Sequence, residues 1–150
     1  MTLISRCALA VLSLLVFTSG SLTAGQAKPS ADSSGVSVTV KYSGKGTVDA
    51  DHKIWVWLFD SPEIGPGAIP VAEESMATNG GTVSFPSVSS TVYIAIAYDE
   101  KGGFVGQAPP PAGSPITLYG AKGPDSKPLP VTPGPNGAVK VSFDDSQRMQ

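Results

Sequence analysis

The sequence predicts an all-β domain, an antiparallel β-sandwich of about seven strands, preceded by a cleaved signal peptide. Three observations carry this expectation. Several short runs alternate apolar and polar residues, the signature of half-buried strands. Leucine occurs only three times after residue 27, at Leu58, Leu118 and Leu129, while 17 glycines and 14 prolines break the chain into short pieces. No window after Lys28 carries an apolar stripe at helical spacing.

The first strand places Val36, Val38, Val40 and Tyr42 on one face and Ser37, Thr39 and Lys41 on the other. Ser43-Gly44-Lys45-Gly46 then supplies a turn. The second, residues 53–59, is apolar on both faces: Trp55, Trp57 and Phe59 on one, Ile54, Val56 and Leu58 on the other. A third strand is expected at 70–76, a turn at Asn79-Gly80-Gly81, and a short fourth at 82–85, where Pro86 requires a strand end or sheet edge. The fifth, 91–98, sets Val92, Ile94, Ile96 and Tyr98 against Tyr93, Ala95 and Ala97. Short strands follow at 116–119 and 138–143, the last with Val139, Val141 and Phe143 on one face.

The organisation reads as a signal peptide at 1–27, a flexible linker at 28–35, the sandwich at 36–146 and a tail at 147–150. A Pro/Gly-rich insertion occupies about 105–137. The apolar run 8–17 behind Arg6 is too short for a bilayer span, and small residues follow it, as in secretory leaders. Export to the periplasm or the medium follows, with no membrane span after cleavage. Cys7, the only cysteine, lies in that leader, so the exported chain has no disulfide. Loss of Arg6 shifts the net charge from −2 to −3, which argues against a nucleic-acid partner.

Residues 77–98 carry a more specific pattern: Thr78, Gly81, Val83, Phe85, Pro86, Val88 and Tyr93. In this order they resemble carboxypeptidase regulatory-like domains, in which a Thr-x-x-Gly turn leads to Phe-x-Phe, a Pro-x-Val step and a Tyr that opens an apolar strand. Gly35 to Val40 is similar to that family's first strand, and the likeness spans roughly 35–100 plus the last strand. The chain departs from the pattern at Val83, at Thr91-Val92 and in the proline-rich segment. The resemblance implies a prealbumin-type (transthyretin-like) sandwich serving as an accessory or interaction module, and it brings no catalytic residue.

The residues themselves offer little for catalysis. His52, the only imidazole, sits between Asp51 and Lys53 in a turn, and no Gly-x-Ser-x-Gly, Walker, Gly-x-Gly-x-x-Gly, His-Glu-x-x-His or Cys-x-x-Cys pattern occurs. Glu73 and Glu74 are adjacent, so on a strand they face opposite ways. The chain is therefore expected not to be an enzyme and to need no cofactor.

Two places could bind something. If consecutive strands alternate in direction, one end of the sandwich gathers Asp49, Asp51, Asp99, Glu100, Asp144 and Asp145, oxygen ligands of the kind Ca²⁺ uses. The aromatic face of Trp55 and Trp57, with Tyr93 beside it, is expected to be covered by the proline-rich segment through Ile116 and Leu118, or else to stand open for sugar stacking or as a patch for a protein partner. The sequence thus reads as a secreted, non-catalytic accessory or interaction domain for a protein or polysaccharide partner. The alternatives are a carbohydrate-binding module and a calcium-stabilised extracellular domain.

Overall fold

A computed structural model describes residues 35–106, 109–123 and 126–150. The leader and residues 28–34 of the linker lie outside these. The strands are β1 (Val36–Tyr42), β2 (Ile54–Phe59), β3 (Ala72–Met76), β4 (Thr82–Phe85), β5 (Tyr93–Tyr98), β6 (Ile116–Leu118) and β7 (Ala138–Phe143). Each falls within or on the span expected from alternation, and no helix occurs among the described residues. No helix there is long and apolar enough to cross a membrane.

The strands form two sheets, β4-β1-β7 and β3-β2-β5-β6. All ladders are antiparallel except β1 with β7, which pair in parallel from Ser37 opposite Ala138 to Tyr42 opposite Phe143. This corrects the expectation of a wholly antiparallel sandwich. A chain that reverses at every connection brings its first and seventh strands into the same direction. Once they are neighbours, their pairing has to be parallel.

The core lies between the sheets. Val36, Val38, Val40 and Tyr42 of β1 and Val139, Val141 and Phe143 of β7 meet Ile54, Val56 and Leu58 of β2 and Ile94, Ile96 and Tyr98 of β5. Fully burying one such side chain contributes about 1.5–3 kcal/mol. On the solvent side, Thr39 and Thr82 pair across β1 and β4, their hydroxyls 2.8 Å apart.

Between β3 and β4 the chain changes sheets through the turn at 77–81. There the Asn79 side chain acts as a piece of strand: its Oδ1 accepts from Tyr42 N–H at 2.9 Å and its Nδ2 donates to Tyr42 O at 2.8 Å. Gly80 N–H donates to Val40 O, and Gly81 O accepts from Val40 N–H, so the β1 ladder runs on into the turn.

The chain ends are pinned as well. Gly35, assigned to the linker, is buried where a Cβ would come within 2.6 Å of Phe85 O. In the tail, Gln147 O accepts from Ile116 N–H, and Met149 bonds Gly113 and Ser114 through its backbone. The tail therefore closes the outer edge of β6, an edge that would otherwise be open to another strand.

Candidate functional site

β2 is buried on both faces, so the four-stranded sheet needs cover outside as well as inside. The inner face joins the core. The outer face carries Trp55, Trp57 and Phe59, with Ala97 opposite Trp55, Ala95 opposite Trp57 and Tyr93 opposite Phe59. Small residues beside the indoles leave room for the rings to lie flat, and Trp55 and Trp57 stack at 6.1 Å between centroids.

Two loops cover this face, through Ile64 and Ala68 of the β2–β3 loop and Phe104 of the loop after β5, while Ile116 and Leu118 of β6 extend it within the sheet beside Ala97 and Ala95. Phe104 meets Trp55 edge-on at 5.2 Å and Trp57 at 6.1 Å, a favoured aromatic geometry. Gly106 closes over Trp55 so tightly that a Cβ would stand 2.7 Å from Cζ3, with φ at +77°, where L side chains are strained.

The loop carrying Phe104 is held from beneath by Asp99, which is 3% exposed. Its Oδ1 accepts from Gly102 N–H at 3.0 Å and its Oδ2 from Phe104 N–H at 2.8 Å. Thus a carboxylate expected among calcium ligands instead fixes the loop that seals the aromatic face.

The open-platform alternative is corrected by this cover: Trp55 is 9% exposed and Trp57 5%. Of the three aromatic candidates, only Tyr93 keeps part of its surface open. Trp55 Nε1–H is buried without a hydrogen-bond partner among the described residues. Ile116 and Leu118, expected as cover, instead join the same sheet as its edge strand and lengthen the apolar face. Phe104, Ile64 and Ala68 were not legible as cover, since single apolar residues between glycines and prolines carry no period.

At the acidic end of the sandwich the carboxylates other than that of Asp51 are hydrogen-bonded within the protein. Asp49 Oδ1 accepts from Asp51 N–H at 2.9 Å, from His52 N–H at 2.8 Å and contacts His52 Nδ1 at 3.0 Å. Glu100 pairs with Arg148 at 2.6 Å, and Asp144 accepts from Ser146 N–H at 2.9 Å. Asp145 accepts from the Tyr42 hydroxyl and from Lys45 N–H at 2.8 Å. Asp51 is exposed on the turn, where its carbonyl accepts from Gly103 N–H. Among the described residues no three His, Cys, Asp or Glu side chains are grouped to hold a metal ion. Backbone N–H groups, the Tyr42 hydroxyl and Arg148 take up the oxygens of Asp49, Asp144, Asp145 and Glu100.

Tyr42 stacks on Tyr98 at 4.4 Å, and the two rings form the floor of this end together with Phe143. Burial first, and then the hydrogen bond to Asp145, push the Tyr42 phenol well above its ordinary range. Burial pushes Tyr98 up as well. Conversely, the Tyr42 hydroxyl and Lys45 N–H hold Asp145 below the usual carboxylate range. The His52 N–H and ring do the same for Asp49, and Ser146 does so for Asp144. Above Tyr98 lies an open depression of about 520 Å³ lined by Lys45, Gly46, Thr47, Asp49, His52 and Glu100.

These depressed carboxylates make stability depend on pH at the acid end. A group whose folded pKa lies below its unfolded value contributes stability above the unfolded pKa and loses it as pH falls through the folded one. The melting temperature is expected to fall as the pH drops below the ordinary carboxylate range, where carboxylates with lowered pKa values protonate. Tyr42→Phe removes the largest cause at Asp145 and should flatten that fall; an unchanged acid profile contradicts the assignment.

His52 Nε2 has no hydrogen-bond partner among the described residues, and its Nδ1 faces Asp49 on an exposed turn. No family model, curated protein or solved structure matches the chain.

Proposed function

We propose that this chain is an exported, non-catalytic β-sandwich that serves as an accessory or interaction domain, carboxypeptidase regulatory-like in kind, for a protein partner outside the cytoplasm. One observation carries the reading. The two loops that pack inward on the tryptophans turn their next residues outward, and Ile69 and Val105 are each 81% exposed. Each follows directly on a residue anchored in the aromatic cluster, Ala68 and Phe104 respectively. Apolar side chains displayed on loops that a rigid sheet holds in place are the usual make-up of a contact surface.

A polysaccharide partner loses its support with the burial of the indoles. The family likeness draws support from where its residues fall. Thr78 and Gly81 close a turn, Val83 and Phe85 of β4 face the core, and Tyr93 opens β5.

The test is site-specific photocrosslinking in the exporting cell, with the photoreactive residue at position 69 or 105 and a control at Lys140 on the exposed side of β7. Adducts from 69 and 105 but not from 140 are expected. No adduct, or equal adducts from all three, contradicts the surface. Export is checked separately, by the N-terminus of the mature protein, which should begin at Lys28.

A further inference from the structure

Both asparagines of the chain, Asn79 and Asn136, are followed by glycine. An Asn-Gly pair is the dipeptide most open to spontaneous amide loss, because glycine has no side chain to hinder its own backbone nitrogen. That nitrogen attacks the asparagine Cγ, the C–N bond of the side-chain amide breaks, and ammonia leaves with the displaced proton. Water then opens the cyclic imide at either carbonyl, giving aspartate or isoaspartate. No oxidant, metal or cofactor is needed.

The fold treats the two pairs differently. At Asn79 both ends of the side-chain amide are held by the Tyr42 backbone, at 2.9 and 2.8 Å, while Gly80 N–H, the attacking group, donates to Val40 O at 2.9 Å. Three hydrogen bonds must break before nitrogen and carbon can meet. At Asn136 the side chain is exposed and has no hydrogen-bond partner among the described residues. Only Gly137 N–H is engaged, with Gly134 O at 2.9 Å across a turn.

We propose that Asn136-Gly137 is the site at which the folded protein spontaneously converts to aspartate and isoaspartate, whereas Asn79-Gly80 is the same chemistry locked by the β1 ladder. The consequence is local to the seam of β1 and β7. Gly137 O accepts from Ser37 N–H at 2.9 Å, and a Cβ on Gly137 would stand 2.3 Å from Gly35 O. Isoaspartate lengthens the backbone by one carbon directly before this contact, so the buried Gly137 must shift against Gly35 and Ser37. Asn79, by contrast, reacts only from an opened state, so its amide records how often that turn has come apart.

The experiment ages the full purified chain in mildly alkaline buffer, native and in urea, followed by peptide mapping and isoaspartyl methyltransferase labelling. In the native sample Asn136 should lose its amide while Asn79 keeps it; in urea both should react at similar rates. Loss at Asn79 as fast as at Asn136 in the native chain overturns the proposal. So does an intact Asn136 under conditions in which the urea sample reacts. Asn136→Gln should abolish the native loss and keep its melting temperature on ageing while the unsubstituted chain falls; equal melting temperatures contradict the effect on the seam.

Discussion

Replacing Asp99 by alanine is expected to cost about 1–3 kcal/mol of stability and to uncover the tryptophans. The carboxylate is buried and accepts from Gly102 N–H and Phe104 N–H. Its removal orphans both donors, and leaving buried polar groups unpaired is what carries the penalty. Phe104 then loses the restraint that holds it against both indoles. Urea titration reads the stability, and acrylamide quenching of tryptophan emission reads the uncovering. Asp99→Asn, which keeps one acceptor oxygen, should fall between the two. A variant with native stability and native quenching would contradict the role given to Asp99.

Trp57→Ala is expected to cost about 3–5 kcal/mol, the range for removing a large aromatic from a packed interior. The ring is buried against Trp55 and Phe104, and β2 carries it at the centre of the four-stranded sheet. Ile69→Ala, on the loop above, should change stability by less than about 0.5 kcal/mol, as surface substitutions do. The contrast separates two roles on one face: the indoles hold the structure, and the outward loop residues, where we propose the partner binds, do not. Similar effects from the two substitutions would remove that division.

The strands were legible because alternation is a backbone property: Val36 to Tyr42 and Ala138 to Phe143 show their buried faces in the order of their residues. So was the double burial of β2, written in six consecutive apolar residues. The parallel pairing of β1 and β7 was not legible, since neighbours in a sheet far apart in sequence are chosen by the closure of the whole fold. The acidic end was placed correctly as a set of loops, yet the destinations of its oxygens were not. Spacing in sequence does not show that Lys45 N–H, Phe104 N–H and Arg148 will reach Asp145, Asp99 and Glu100 first. Cover of the aromatic face depended on isolated residues such as Phe104 and Ala68, whose position only the loop path decides.

The account rests on the outer sheet face being a second, closed core that holds two display loops in place. Acrylamide quenching of the native chain tests this most directly, because the probe is neutral and both tryptophans lie on that face. Emission should be strongly protected in the native chain, and the protection should vanish in the same urea transition that unfolds the sandwich. Native quenching close to that of the unfolded chain would mean that the rings are open to solvent, and would return the face to the carbohydrate-binding reading.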